Sequence, residues 1–195
     1  MQTTIRRGGA QDAAAVADLH ARSWSTAYRG IVPADALGDG LPVQRRELWE
    51  LRLTVDYGDP AAEPELLIAD QAGETVGFIY LVPQPDGRVL VDNLHVRPGR
   101  TGGGIGRALF AAARAHVVER HPGAELYLEV LRDNIRAIAF YEREGGVRTR
   151  VQEGVFPGGY VLPEYVYSWP AESLAAQAVP AHTVPAQAAQ AQPTS

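Results

Sequence analysis

The segment Leu94-His95-Val96-Arg97-Pro98-Gly99-Arg100-Thr101-Gly102-Gly103-Gly104-Ile105-Gly106-Arg107-Ala108-Leu109 constrains this chain more than any other. An apolar alternating run stops at Pro98, four glycines crowd positions 102–106, and a helical repeat begins at Ile105. A strand, a glycine loop and a helix in that order expose backbone N–H groups at the positive end of the helix dipole. That arrangement suits a pyrophosphate. Arg97, Arg100 and Arg107 lie in a stretch without an acid, so the loop predicts a local cationic patch. Neither common nucleotide loop fits. GxxxxGK[ST] is absent from a chain without lysine, and Gly102-x-Gly104 is followed by Ile105-Gly106-Arg107, which breaks GxGxxG.

The flanking sequence alternates between the two apolar periods. Thr3–Arg7 reads as a strand and Gln11–Tyr28 as a helix, with Ala14, Ala17, Leu19 and Trp24 at helical spacing. Gly30–Pro42 is loop, with a short turn at Ala34–Leu37, and Val43–Leu53 is helical. Strands are predicted over Glu65–Ala69, Thr75–Val82 and Arg88–Val96, separated by Gly73 and by Pro85-Asp86-Gly87. Helix Ile105–Glu119, strand Glu125–Val130, helix Ile135–Glu144 and strands Val147–Gln152 and Tyr160–Trp169 follow. Hairpins followed by crossovers predict an α/β fold: a mixed, mostly antiparallel sheet of about seven strands with helices on both faces. Residues 1–170 form one domain in this reading. The Ala/Gln/Pro-rich stretch 171–195 is expected to be a disordered tail.

Composition narrows the function. A net charge of −5 argues against a nucleic-acid partner. The absence of cysteine and of an HExxH pair argues against a metal site, and no apolar run is long enough for a membrane span. Without the apolar core of a secretory signal, the cytoplasm is the expected compartment. The all-arginine, alanine-rich usage fits a GC-rich coding genome.

The glycine segment resembles motif A of the GCN5-related N-acetyltransferase (GNAT) family, V-x-P-x-x-(Q/R)-G-x-G-x-G/A, through Val96, Pro98, Gly102, Gly104 and Gly106. Thr101 stands at the usual Gln/Arg position, with Arg100 just before it. A second segment, Asn134-Ile135-Arg136-Ala137-Ile138-Ala139-Phe140-Tyr141-Glu142-Arg143-Glu144-Gly145, is similar to the family's N-x-x-A-x-x-F-Y-E-x-x-G element. Asn134 and Tyr141 are seven residues apart and so share a helix face two turns apart. The stretch Trp24–Pro33 also looks like one bacterial subgroup.

The resemblance implies acetyl-CoA as co-substrate and a small-molecule or peptide amine as acceptor, with acetyl transfer by direct attack in a ternary complex. It leaves a homodimer open. By the match, Thr101, Gly102, Gly103, Gly104, Gly106 and Arg107 hold the pyrophosphate, and Leu94, Val96 and Asn134 hold the pantetheine arm. The arm fills a gap between the fourth and fifth strands, where the Val96 N–H polarises the thioester carbonyl. Tyr141 is the expected acid. Several relatives carry a Glu or His as base where this chain has Leu90. Strand alternation puts Asp92 on the face of Leu90, which makes Asp92 the first candidate base, followed by His95 and, third, Glu129, with a water chain as the alternative to a direct base. His95 falls on the opposite face unless a bulge re-aims it. The acceptor pocket is expected between Trp24, Tyr28 and Trp49 and the loop Val155–Tyr160. Two other readings are a non-catalytic acetyl-CoA-binding or sensor domain and a regulatory module that holds another phosphate.

Overall fold

Apolar residues at period two build the strands, and those at helical spacing build the stripes that cover them. The computed structural model describes residues 2–156 and 159–178. In chain order the elements are β1 (Thr4–Arg7), α1 (Ala13–Ala27), α2 (Leu41–Arg52), β2 (Glu65–Gln71), β3 (Glu74–Pro83), β4 (Val89–Val96) and α3 (Ile105–Arg120). These are followed by β5 (Leu126–Leu131), α4 (Ile135–Arg143), β6 (Val147–Phe156), β7 (Tyr160–Trp169) and α5 (Ala171–Ala178). The seven strands form one sheet in the order β1-β2-β3-β4-β5-β7-β6, antiparallel except between β4 and β5. The predicted fold class is the observed one.

Alternation in β3 shows how the two faces are filled. Phe78 and Tyr80 join Val16, Ala17, Leu19 and Trp49 beneath α1 and α2. Ile79 and Leu81 join Leu109, Phe110, Ala113 and Val117 of α3 on the other face.

Two irregularities shape the sheet where β4 meets β5. The parallel pairing consists of Val89 with Leu126 and Leu90 with Tyr127, after which the strands part. On the other edge of β4, Val91 faces Leu81 and Asn93 faces Tyr80, so Asp92 is an extra residue, a β-bulge.

The expected tail differs from the structure in its first part. α5 begins just after Pro170, a residue that suits a helix entrance, and carries Glu172 in its first turn, where the dipole favours an acid. Leu174 is 1% exposed and packs into the α3-side core. One leucine at the right spacing docks a helix that composition alone assigned to disorder. Residues 179–195 of that expected tail lie outside the described residues.

Candidate active site

The glycine loop ends at Gly104, which caps α3 in the left-handed region at φ 83°. Gly102 lies there too, at φ 88°, and a Cβ on either glycine would meet nothing within 4 Å. The loop therefore borders open space, and glycine is required by conformation rather than by crowding. The first helical bond runs from the Ala108 N–H to the Gly104 carbonyl, which leaves the Ile105, Gly106 and Arg107 N–H groups without an intrahelical acceptor. A Cβ on Gly106 would make ordinary contacts with Phe140 and Val96, both at 3.7 Å, so this glycine sits where α3, α4 and the end of β4 converge. Thr101, just before Gly102, and Gly103, between the two left-handed glycines, are exposed.

The cationic patch is smaller than expected. Arg97 turns to β3, donating to Glu74 Oε2 at 2.9 Å and to the Thr75 carbonyl at 2.7 Å. Arg107 stays 79% exposed, 3.9 Å from Glu144.

β4 presents an unpaired edge beside this loop. The Arg97 N–H bonds the Val76 carbonyl at 2.8 Å. In an antiparallel ladder only every second residue bonds a given neighbour. With Gly77 opposite Val96 and Ile79 opposite Leu94, the peptide groups of Leu94 and Val96 point away from β3, toward the gap that β5 has left. Such an edge is a template for an added extended segment.

α4 closes the far side of the gap. Asn134 caps this helix, its Oδ1 accepting from the Ala137 N–H at 3.2 Å. Tyr141 is partly buried, its ring packed with Phe110, Phe140, Tyr167 and Trp169 at centroid distances of 5.4–6.5 Å. Its hydroxyl has no hydrogen-bond partner among the described residues. Burial holds it well above the ordinary phenol range, and the nearby Tyr28 adds to the effect.

The opposite face of the gap carries the acids. Asp92 Oδ2 accepts from Arg52 at 2.6 Å and from the side chain of its neighbour Asn93. The bulge turns His95 onto this same α1–α2 face, whereas simple alternation puts the two on opposite faces. There His95 is a core residue, 8% exposed, with Nδ1 2.9 Å from Ser23 Oγ and its ring 4.6 Å from that of His20. Burial, with Arg45 assisting, pushes His95 down to about 3, so it is neutral in the fold. Glu129 is exposed and accepts from Gln152 Nε2 at 2.8 Å.

Sequence reasoning missed Glu164. This β7 carboxyl is 6% exposed, raised first by burial and then by the charge of Glu129. Its carboxyl lies over the Cα of Gly154 on β6, where any Cβ would collide with it. The register pairs Glu164 with Gln152 and Gly154 with Leu162, so the glutamate lies diagonally across to a strand glycine, a signal visible only once the β6–β7 register is known. The charge of this acid is felt at the Tyr28 hydroxyl. That hydroxyl is pushed up to about 12, first by burial and then by Glu164, with Arg45 opposing.

The expected acceptor pocket is thereby partly redrawn. Trp49 is fully buried, its indole N–H donating to His20 Nδ1 at 2.9 Å, so it belongs to the core. Trp24 and Tyr28 do meet, with ring centroids 4.8 Å apart, and Phe156 at the end of β6 lies 6.3 Å from Trp24. Residues 157–158 of the expected loop lie outside the described residues.

The profile of the acetyltransferase (GNAT) family matches residues 21–146, which include the parted strands, the glycine loop and most of α4's surroundings. The chain belongs to this family. Over 91 residues this GNAT chain is 38% identical to the mycothiol acetyltransferase of Streptomyces bingchenggensis (strain BCW-1), a match covering 45% of the chain and 29% of that protein. Over 80 residues it is 32% identical to the spermine/spermidine N(1)-acetyltransferase of Bacillus subtilis (strain 168), covering 37% of the chain and 53% of that protein. The chain thus spans less than two thirds of the length of either relative. Its fold is that of yncA, a putative acetyltransferase from Salmonella typhimurium solved with its cofactor acetyl-CoA: TM-score 0.65, 16% identity, 88% of this chain and 95% of that one. Among the described residues no helix is long and apolar enough to cross a membrane.

Proposed function

We propose that this GNAT protein is an N-acetyltransferase that moves the acetyl group of acetyl-CoA to a primary amine by direct attack in a ternary complex. The observation that carries this reading is the unpaired edge of β4 at Leu94 and Val96, lying between the glycine loop and Tyr141. Acetyl-CoA fits these surroundings. Pyrophosphate calls for the open, left-handed glycine loop at a helix start, where Thr101, Gly102, Gly103, Gly104, Gly106 and Arg107 would hold it. An extended amide-bearing arm calls for a strand edge with free N–H and C=O groups, which Leu94 and Val96 supply, with Asn134 on the far wall. When bound, acetyl-CoA supplies an activated acyl group and a thiolate leaving group.

The chain's own residues divide the remaining work. The Val96 N–H, aimed into the gap, donates to the carbonyl oxygen on which charge develops. Tyr141 offers its hydroxyl to the leaving sulfur. Asp92 and Glu164, on the opposite face, are the carboxylates that hold the acceptor's ammonium and receive its proton, directly or through water. The acceptor is a small-molecule or peptide amine, and the catalytic domain runs through α5.

Release of CoA thiol, followed across amino acids, polyamines, aminoglycosides and peptides, tests the reading. Release dependent on one acceptor class supports it. Thermal stabilisation by acetyl-CoA with no release on any acceptor would replace it with a non-catalytic binding role. Glu164→Gln and Asp92→Asn should each lower kcat/KM and shift the acidic limb of its pH profile while leaving acetyl-CoA affinity near wild type. A variant with an unchanged rate and profile has no part in proton transfer.

A further inference from the structure

Leu41, Arg45 and Trp49 recur at four-residue spacing and form the buried stripe of α2, at 3%, 8% and 0% exposure. An arginine in the middle of such a stripe is costly unless its charge is compensated. Other arginines of this fold have carboxylate partners: Arg6 with Asp12 and Asp70, Arg52 with Asp92, and Arg114 with Glu144. Arg45 has none among the described residues. Its Nε is buried without any hydrogen-bond partner, and its guanidinium lies 4.2 Å over the Trp24 ring. Stacking on one indole offsets part of the desolvation but satisfies no N–H. Burial accordingly pulls Arg45 below the ordinary guanidinium range.

The surroundings show where the missing partner belongs. Trp24, on which Arg45 stacks, packs against Tyr28 and Phe156, the aromatic wall of the expected acceptor pocket. The charges of Arg45 and Glu164 both bear on the Tyr28 hydroxyl, so a cation and an acid share its neighbourhood. Asp92, the other acid of this face, is already engaged by Arg52.

We infer that Arg45 is the receptor for a carboxylate on the acceptor, so that the amine acetylated here is a zwitterion of amino-acid type. The acceptor's ammonium lies toward Glu164 and its carboxylate on the guanidinium, whose planar fork matches a carboxylate in two parallel hydrogen bonds. A polyamine has no group for this site and would set a second cation against Arg45. A doubly charged phosphate would face the acids Glu164 and Asp92, with Asp92 already neutralising Arg52. The assignment rests on the transferase reading but concerns only the acceptor side.

The test measures binding rather than turnover. Calorimetry with the CoA-bound protein compares N-acetyl amino acids with the matching N-acetyl amines that lack the carboxylate. The expected result is at least tenfold tighter binding of one or more carboxylated compounds, with the preference lost in Arg45→Met and partly kept in Arg45→Lys. CoA affinity stays unchanged throughout. Arg45→Met should melt at or above the wild-type temperature, because it removes an uncompensated buried charge. Equal binding of both series, or of neither, by wild-type protein that binds CoA normally overturns the carboxylate receptor and leaves the transferase reading standing. Failure to bind CoA overturns the transferase reading itself. A fall of several degrees in Arg45→Met, or its failure to fold, would make Arg45 a structural cation and sink the proposal, as would a carboxylate preference that Arg45→Lys or Arg45→Met leaves unchanged.

Discussion

Tyr141→Phe isolates one atom. The ring is held by Phe110, Phe140, Tyr167 and Trp169, and Phe keeps all of these contacts. The lost hydroxyl has no protein partner, so stability should change by less than about 1 kcal/mol. The chemistry should change far more. A thiolate with an intrinsic pKa near ~8.5 is a weak base toward a phenol that burial holds above its ordinary value near ~10, so complete proton transfer is uphill. The hydroxyl then acts as a neutral donor to sulfur as charge develops there. A hydrogen bond to a charged group is worth about 1.5–3 kcal/mol. At about 1.4 kcal/mol per decade, kcat should fall roughly tenfold to 150-fold, with little effect on KM for acetyl-CoA. The loss should shrink with acyl donors whose thiols are better leaving groups. The same burial predicts that wild-type kcat shows no alkaline fall through pH ~10, since the phenol stays protonated there. Steady-state rates of both proteins across pH 6–10 decide the point. Near wild-type kcat in the Phe variant makes Tyr141 a packing residue. An alkaline limb setting in at or below pH ~10 that disappears in the variant means instead that the phenol ionises no higher than its ordinary range and the burial argument is wrong.

Three further expectations follow from particular contacts. Gly104→Glu puts a Cβ where φ is 83° and a carboxylate at the proposed pyrophosphate site, so acetyl-CoA should no longer raise the melting temperature; Gly104→Ala, which carries the backbone strain alone, should keep most of that stabilisation. Leu174→Ala leaves a hole in the α3-side core, costing about 2–4 kcal/mol, or about 5–10 °C in a domain of this size; an unchanged Tm would return α5 to the tail. Burial depresses both His20 and His95, the latter to about 3, so below pH ~6.5 the unfolded chain binds protons that the native state refuses. Stability should therefore be full above pH ~6.5 and decline as pH falls, by up to about 1.4 kcal/mol per pH unit for each histidine, and urea titrations from pH 7.5 to 5 with a constant midpoint would refute this.

The legible parts of the site were those whose meaning is local. The glycine loop reads from sequence because a strand end, four glycines and a helix start fix their own geometry within a dozen residues. Asn134 and Tyr141 stand out because a short segment similar to a family element carries both, and helical spacing sets them two turns apart on one face. α5 escaped because its one buried anchor, Leu174, sits among alanines in a stretch whose composition resembles a linker. The acids and the arginine of the acceptor face are a different kind of information. Whether Asp92 and His95 share a face depends on one extra residue in β4, and alternation counted through that bulge gives the wrong answer for everything beyond it. Glu164 depends on a register that sets it beside Gly154, and Arg45 on which face of α2 turns inward.

The bulge also bears on how the proposed cofactor and acceptor sides would meet at one strand. Val89 and Val91 precede it on the α3 face, and Leu94 and Val96 follow it on that same face, so the strand keeps its apolar packing through the irregularity. The cost falls on the other face, where Asp92 is displaced and has to be held by Arg52 from α2. Beyond the same point β4 has no partner in β5, and the Val96 N–H enters the gap between a face that carries Tyr141 and one that carries Glu164 and Arg45. One inserted residue thus lies where the opening for an extended arm and the pocket for a charged acceptor adjoin. Deleting Asp92 leaves Val89, Val91, Leu94 and Val96 in simple alternation on the α3 face, so the apolar packing of β4 should survive while the carboxylate that Arg52 holds is lost.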